Sequence, residues 1–140
     1  MTAPRLLAAA LLGLGLAGCI PARTPPQLAF TPGPPVVVTD RTYANPWFAL
    51  RYPAGWRVVT GAADAPPSVV FVAPDEASTV TIQVGELDAA GLDDPAFRHD
   101  VRRLAFANGL TLTAVVRAPA AAWDAFLPQA DALLASLRPQ

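Results

Sequence analysis

Proline decides where this chain can form regular structure. Sixteen of its 140 residues are proline, and Pro21, Pro25, Pro26, Pro32, Pro34 and Pro35 crowd into residues 19–44. Proline fixes φ and has no N–H to donate, so neither a helix nor a central strand runs through so dense a cluster. Such a segment favours extended polyproline II, and at about 3.1 Å per residue it makes a tether of roughly 80 Å. One stretch of it stays open. Val36-Val37-Val38-Thr39 is short and β-branched, and suits an edge strand of the following domain as well as a tether. What remains is enough chain for one domain, over residues 45–140.

Composition narrows the function. With 53% hydrophobic and 15% charged residues the chain is not disordered throughout. A net charge of -1 argues against a nucleic-acid binder working from a basic surface. All ten basic residues are Arg, which excludes a Schiff-base lysine and a phosphate-loop lysine. One His and one Cys, Cys19, leave no disulfide framework, no Cys/His zinc site and no Cys-His dyad within a mature domain.

The N-terminus reads as an address. Arg5 is the single charge of a short n-region, Leu6 to Leu16 is an uncharged apolar run, and small residues follow at Ala17 and Gly18. This is the layout of a secretory signal peptide over residues 1–18. The run is too short to span a bilayer, which takes about 20 apolar residues. Leu16-Ala17-Gly18-Cys19 also resembles the lipobox of bacterial lipoproteins. The resemblance implies that the Cys19 thiol takes a diacylglyceryl group and that signal peptidase II cuts before it. Two or more acyl chains hold a protein stably on a membrane. The implied location is therefore the outer face of the cell membrane or the outer membrane. In a cell with two membranes, the resemblance further implies that Ile20, in place of Asp, sorts the protein to the outer one.

From residue 45 onward the pattern turns regular. Trp47 to Tyr52 alternates and is broken by Pro53-Ala54-Gly55; Trp56 to Thr60 follows as a second strand. Val69 to Val72 reads as a short buried strand, and Thr79 to Leu87 places Val80, Ile82 and Val84 on one face. Asp93 or Asp94 as a cap, Pro95 in the first turn and Asn108-Gly109 as a stop frame an amphipathic helix. Its stripe is Phe97, Val101, Leu104 and Ala105, with Asp94 and Arg98 spaced as a surface pair. Leu110 to Arg117 is a further strand. A second helical stretch, Ala120 to Leu137, carries Pro128 and is expected to kink or divide there. The expected fold class is α+β, an antiparallel sheet packed against two amphipathic helices.

Phe48-Ala49-Leu50-Arg51-Tyr52-Pro53-Ala54-Gly55-Trp56 resembles the opening of PsbP-like domains. The strand at Val69 to Val72 followed by Pro74-Asp75, and the closing Phe126 with Ala135-Ser136-Leu137-Arg138, extend the resemblance. It implies a PsbP-like α+β domain in which Pro53 and Gly55 shape a turn and Trp56 fills the core. It carries no activity across.

No catalytic set emerges. His99 stands beside Arg98, Arg102 and Arg103 on the polar side of the expected helix, and Ser68, Ser78 and Ser136 lie in no nucleophile turn. The three arginines form a candidate basic contact patch. Trp47, opposite Phe48, Leu50 and Tyr52, is a candidate partner anchor. Asp88, Asp93 and Asp94 lack calcium-loop spacing. No metal and no cofactor is expected. The reading is a non-enzymatic, lipid-anchored envelope protein that binds a protein partner or assists a membrane complex, held to the membrane by Cys19. The alternative is a small-ligand binder with a pocket between sheet and helices.

Overall fold

The computed structural model describes residues 35–62 and 65–140. The expected signal peptide over residues 1–18, Cys19 and most of the proline-rich segment lie outside them. Two antiparallel sheets and one helix make up the fold. The first sheet has the order β1-β2-β3-β9, with β1 at Val37–Val38, β2 at Thr42–Ala44, β3 at Phe48–Arg51 and β9 at Arg138–Pro139. The valine run that sequence left open thus pairs as an edge strand, Val37 with Ala44 and Val38 with Tyr43. The second sheet has the order β4-β5-β6-β8-β7, with β4 at Arg57–Thr60, β5 at Ser68–Val72, β6 at Thr79–Val84, β8 at Thr111–Pro119 and β7 at Phe97–Ala105. The helix, α1, spans Trp123–Ala135.

Aromatic side chains join the layers. Tyr43 meets Phe71 edge to face at 5.7 Å, Tyr52 lies 5.4 Å from the same ring, and Trp56 stacks on Phe126 of α1 at 5.5 Å. Trp56 is buried, after a turn in which Gly55 takes a φ of 83° that a side chain resists. On α1, Phe126, Ala130, Leu133 and Leu134 form the buried stripe at i, i+4, i+7 and i+8. Pro128 lies inside an unbroken helix, on the exposed side where water can reach the carbonyl it leaves unpaired. At the C-terminal end the Ser136 hydroxyl accepts from the Arg51 N–H at 2.8 Å and lies 2.7 Å from Leu133 O. Helix and first sheet are latched there by one side chain.

Of the two expected amphipathic helices, the first, framed by Asp93 or Asp94 and Asn108-Gly109, does not form. Residues 97–105 are β7, paired along all nine residues with β8, so the fold is two sheets and one helix rather than a sheet under two helices. The expected α+β layout of a sheet packed against two amphipathic helices, which the PsbP-like resemblance is read to share, is overturned with it. The physical reason is local. Asn108-Gly109 does not stop a helix. It turns a hairpin, with Gly109 at φ 83° and Phe106 N–H donating to Leu110 O at 2.9 Å. Asp94 does not cap a helix either; its carboxylate accepts from the Ala96 N–H two residues on, at 2.9 Å, and shapes the entry to the strand. Ion pairs to neighbouring elements then fix the polar side chains of β7, which replaces the helical stripe as the source of order.

Candidate functional site

The candidate residues of β7 are divided by the pleat. Successive side chains of a strand point to opposite faces. Arg98, Asp100, Arg102 and Leu104 share the inner face with Leu112, Ala114, Val116 and Ala118 of β8, all fully buried beneath α1. Phe97, His99, Val101 and Arg103 lie on the outer face. Arg98 and Arg102 therefore stand together and Arg103 stands apart from them.

Each arginine already holds a carboxylate. Arg102 donates to Asp100 at 2.7 Å and to Asp131 of α1 at 2.7 Å. These bonds, to Asp100 first, raise its pKa and tie β7 to the helix. Arg98 reaches Asp124 of α1 at 3.9 Å, and Arg103 donates to Glu86 at 2.6 Å. Asp94 pairs across to Arg117 at 3.8 Å, not to Arg98. Trp47 is half-buried and packs against the core. Its N–H donates to Asn45 Oδ1 at 2.9 Å, and its carbonyl accepts from the Gln140 N–H at 3.0 Å. His99 lies directly across from Arg117 on β8.

The outer face of the second sheet carries a row that sequence reading did not assemble. Val59, Val70, Thr81, Val115 and Val101 are cross-strand neighbours over all five strands. Residues 85–96 lead from β6 to β7 past the intervening β8, and their bonds place them over this face. Gly85 O accepts from the Thr113 hydroxyl at 2.6 Å, Glu86 takes Arg103 and Asp94 takes Arg117. Val115 and Thr113 are buried as a result, while Val59 at 45% and Val101 at 44% stay open at the two edges. Arg117 completes the cover. Its guanidinium lies 3.6 Å from the Phe97 ring centre, while its Nε is buried with no hydrogen-bond partner among the described residues. No short-range sequence signal joins Arg117 to Phe97, because the pairing is made only when the hairpin folds.

Two further features bear on binding. An open depression at the β3–β4 end is lined by Gly55, Arg57, Val72, Ala73, Pro74 and Glu76. It is a surface hollow with one charge of each sign. The alternative reading places a ligand pocket between sheet and helices; Phe71, Ile82 and Val116 of the second sheet and Phe126 and Leu133 of α1 are buried members of one hydrophobic core. In the β5–β6 turn, burial alone would raise the pKa of Asp75. Hydrogen bonds from the Ser78 hydroxyl and the backbone N–H groups of Ser78 and Ala77 outweigh it and hold the pKa below its ordinary value. Among the described residues no cluster of three His, Cys, Asp or Glu is placed to hold a metal ion, and no helix is long and apolar enough to cross a membrane. No protein-family model matches the chain, and no curated protein and no solved structure matches it.

Proposed function

We propose that the chain is a lipid-anchored protein of the cell envelope whose β-rich domain acts by binding a protein partner, without catalysis of its own. The observation that carries the reading is Leu16-Ala17-Gly18-Cys19 behind a short apolar run, followed by a proline-rich segment leading to a folded domain. Diacylation at Cys19 holds the chain on the membrane and raises its effective concentration beside membrane partners. The side chains around His99 offer no catalytic set: Arg98, Arg102 and Arg103 are each held by a carboxylate, and His99 faces Arg117 rather than an acid and a nucleophile.

Mass spectrometry of the membrane-extracted protein tests the anchor. The expected N-terminus is a diacylated Cys19; an intact Met1 or a bare Cys19 thiol overturns it. The second comparison sets Cys19→Ser, exported by a plain secretory signal, against anchored His99→Ala, with a cellular phenotype as readout. The released form should lose function and His99→Ala should keep it. The reverse result would restore an enzyme reading.

A further inference from the structure

We infer that β7 is an interface for a second copy of this chain, joined edge to edge about a two-fold axis at Val101. β7 is the outermost strand of the second sheet, and its nine residues pair with β8 without a bulge. The phase of that ladder follows from its two ends, where Phe106 N–H donates to Leu110 O and Ala120 N–H donates to Ala96 O. Even-numbered residues between them spend their backbone groups on β8. The N–H and C=O of His99, Val101 and Arg103 point to the free edge, and no partner for them occurs among the described residues.

Proteins blunt such an edge with proline, a bulge, charged side chains or a covering segment. β7 has no proline and no bulge, and its charged side chains, Arg98, Asp100, Arg102 and Arg103, each sit in an ion pair within the chain, which leaves them little net repulsion toward a second copy. The other edges are short: β4 has four residues, while β1 and β9 have two each.

Charge selects the partner and the register. Antiparallel pairing about Val101 sets Asp100 opposite Arg102 of the second copy, and Arg102 opposite its Asp100, on the inner face. On the outer face it sets the 44% exposed Val101 against its twin. His99 then falls opposite Arg103, whose guanidinium is already held by Glu86. Moving the axis by one residue either way sets Asp100 against Asp100 or Arg102 against Arg102. Like charges directly opposed are unfavourable, so Val101 is favoured over the axes on either side of it; an axis at His99 also opposes unlike charges, Asp100 to Arg98, but pairs fewer residues of the strand. The strand is self-complementary, as a two-fold interface requires. The two sheets then join into one of ten strands.

Thiol trapping reads this directly in the full-length chain carrying Cys19→Ser, so that an introduced thiol stands alone. A hydrogen-bonded antiparallel pair sets its Cα atoms about 5.5 Å apart, within reach of a disulfide. Val101→Cys should therefore oxidise to a covalent dimer. Val59→Cys, equally exposed on the opposite edge, should remain monomeric. Sedimentation gives the second measurement. The unmodified chain should show a concentration-dependent dimer, and Val101→Pro should lose it, because only the outward N–H is removed. A Val101→Cys chain that stays monomeric, or Val59→Cys that cross-links as readily, overturns the interface. So does a dimer that survives Val101→Pro in a folded chain.

Discussion

β6 and β7 flank the same strand, β8, and could hardly be written more differently. β6 lies between two neighbours and sends Val80 and Ile82, both fully buried, into the core, while Thr79, Thr81 and Gln83 stay half-exposed. Its alternation is plain in the sequence because one face is dry along its whole length. β7 has a neighbour on one side only, and nothing on it is fully buried. Its inner face is closed by ion pairs to α1 and its outer face by ion pairs to the crossing segment, so charged residues occupy both sides of the pleat. A strand held by partners distant in sequence carries no local period of its own. Four apolar residues at helical spacing were then enough to mimic a helix.

The difference has measurable consequences. The largest belongs to the buried strand. Ile82→Ala removes a side chain with no exposure at the centre of the sheet and should cost about 2–5 kcal/mol in urea unfolding. Val101→Ala, in dilute protein, should stay within about 0.5 kcal/mol. Equal costs at the two positions would erase the contrast between centre and edge.

Arg102→Ala comes next. It cuts the contacts to Asp100 and Asp131 that hold β7 against α1, and about 1 kcal/mol is expected, because the guanidinium is only partly buried. The same substitution at Arg103, whose partner Glu86 is exposed, should cost less. If Arg103→Ala proved the more damaging, the crossing segment and not the helix would be what secures β7.

The smallest effect is a pH dependence in the β5–β6 turn, on the well-read side of the sheet. The folded-state pKa of Asp75 is depressed, so its contribution to stability is present above the unfolded carboxylate range and is lost as the pH falls through the folded value. Asp75→Asn should flatten that acid-side loss in a pH series of melts. An unchanged profile would mean that the hydrogen bonds to Asp75 do not favour its charged form.

Legibility in the sequence followed burial. The strands at Phe48–Arg51, Ser68–Val72 and Thr79–Val84, and the helix within Ala120 to Leu137, are visible in the sequence because each turns a continuous apolar face to one core. Val37–Val38 was undecidable by itself, since two β-branched residues pair only if a neighbour arrives. Asn108-Gly109 was the signal that distinguished hairpin from helix, and it is ambiguous because an αL glycine serves both ends. The cluster of Phe97, Arg117 and Asp94 was not legible. Arg117 stands more than ten residues from either partner, and the register of β7 on β8 makes the contact.

Everything distinctive about this domain, including its exposed edge, rests on residues 97–105 being a strand. Nuclear Overhauser contacts between α-protons decide that without reference to stability. In this ladder the odd-numbered pairs are the close, non-hydrogen-bonded ones, with Cα atoms about 4.5 Å apart. Cross-strand contacts are therefore predicted from His99 to Arg117, Val101 to Val115 and Arg103 to Thr113. Their absence, with contacts from each α-proton to the amide three residues on through residues 97–105, would restore the helix and contradict the fold described.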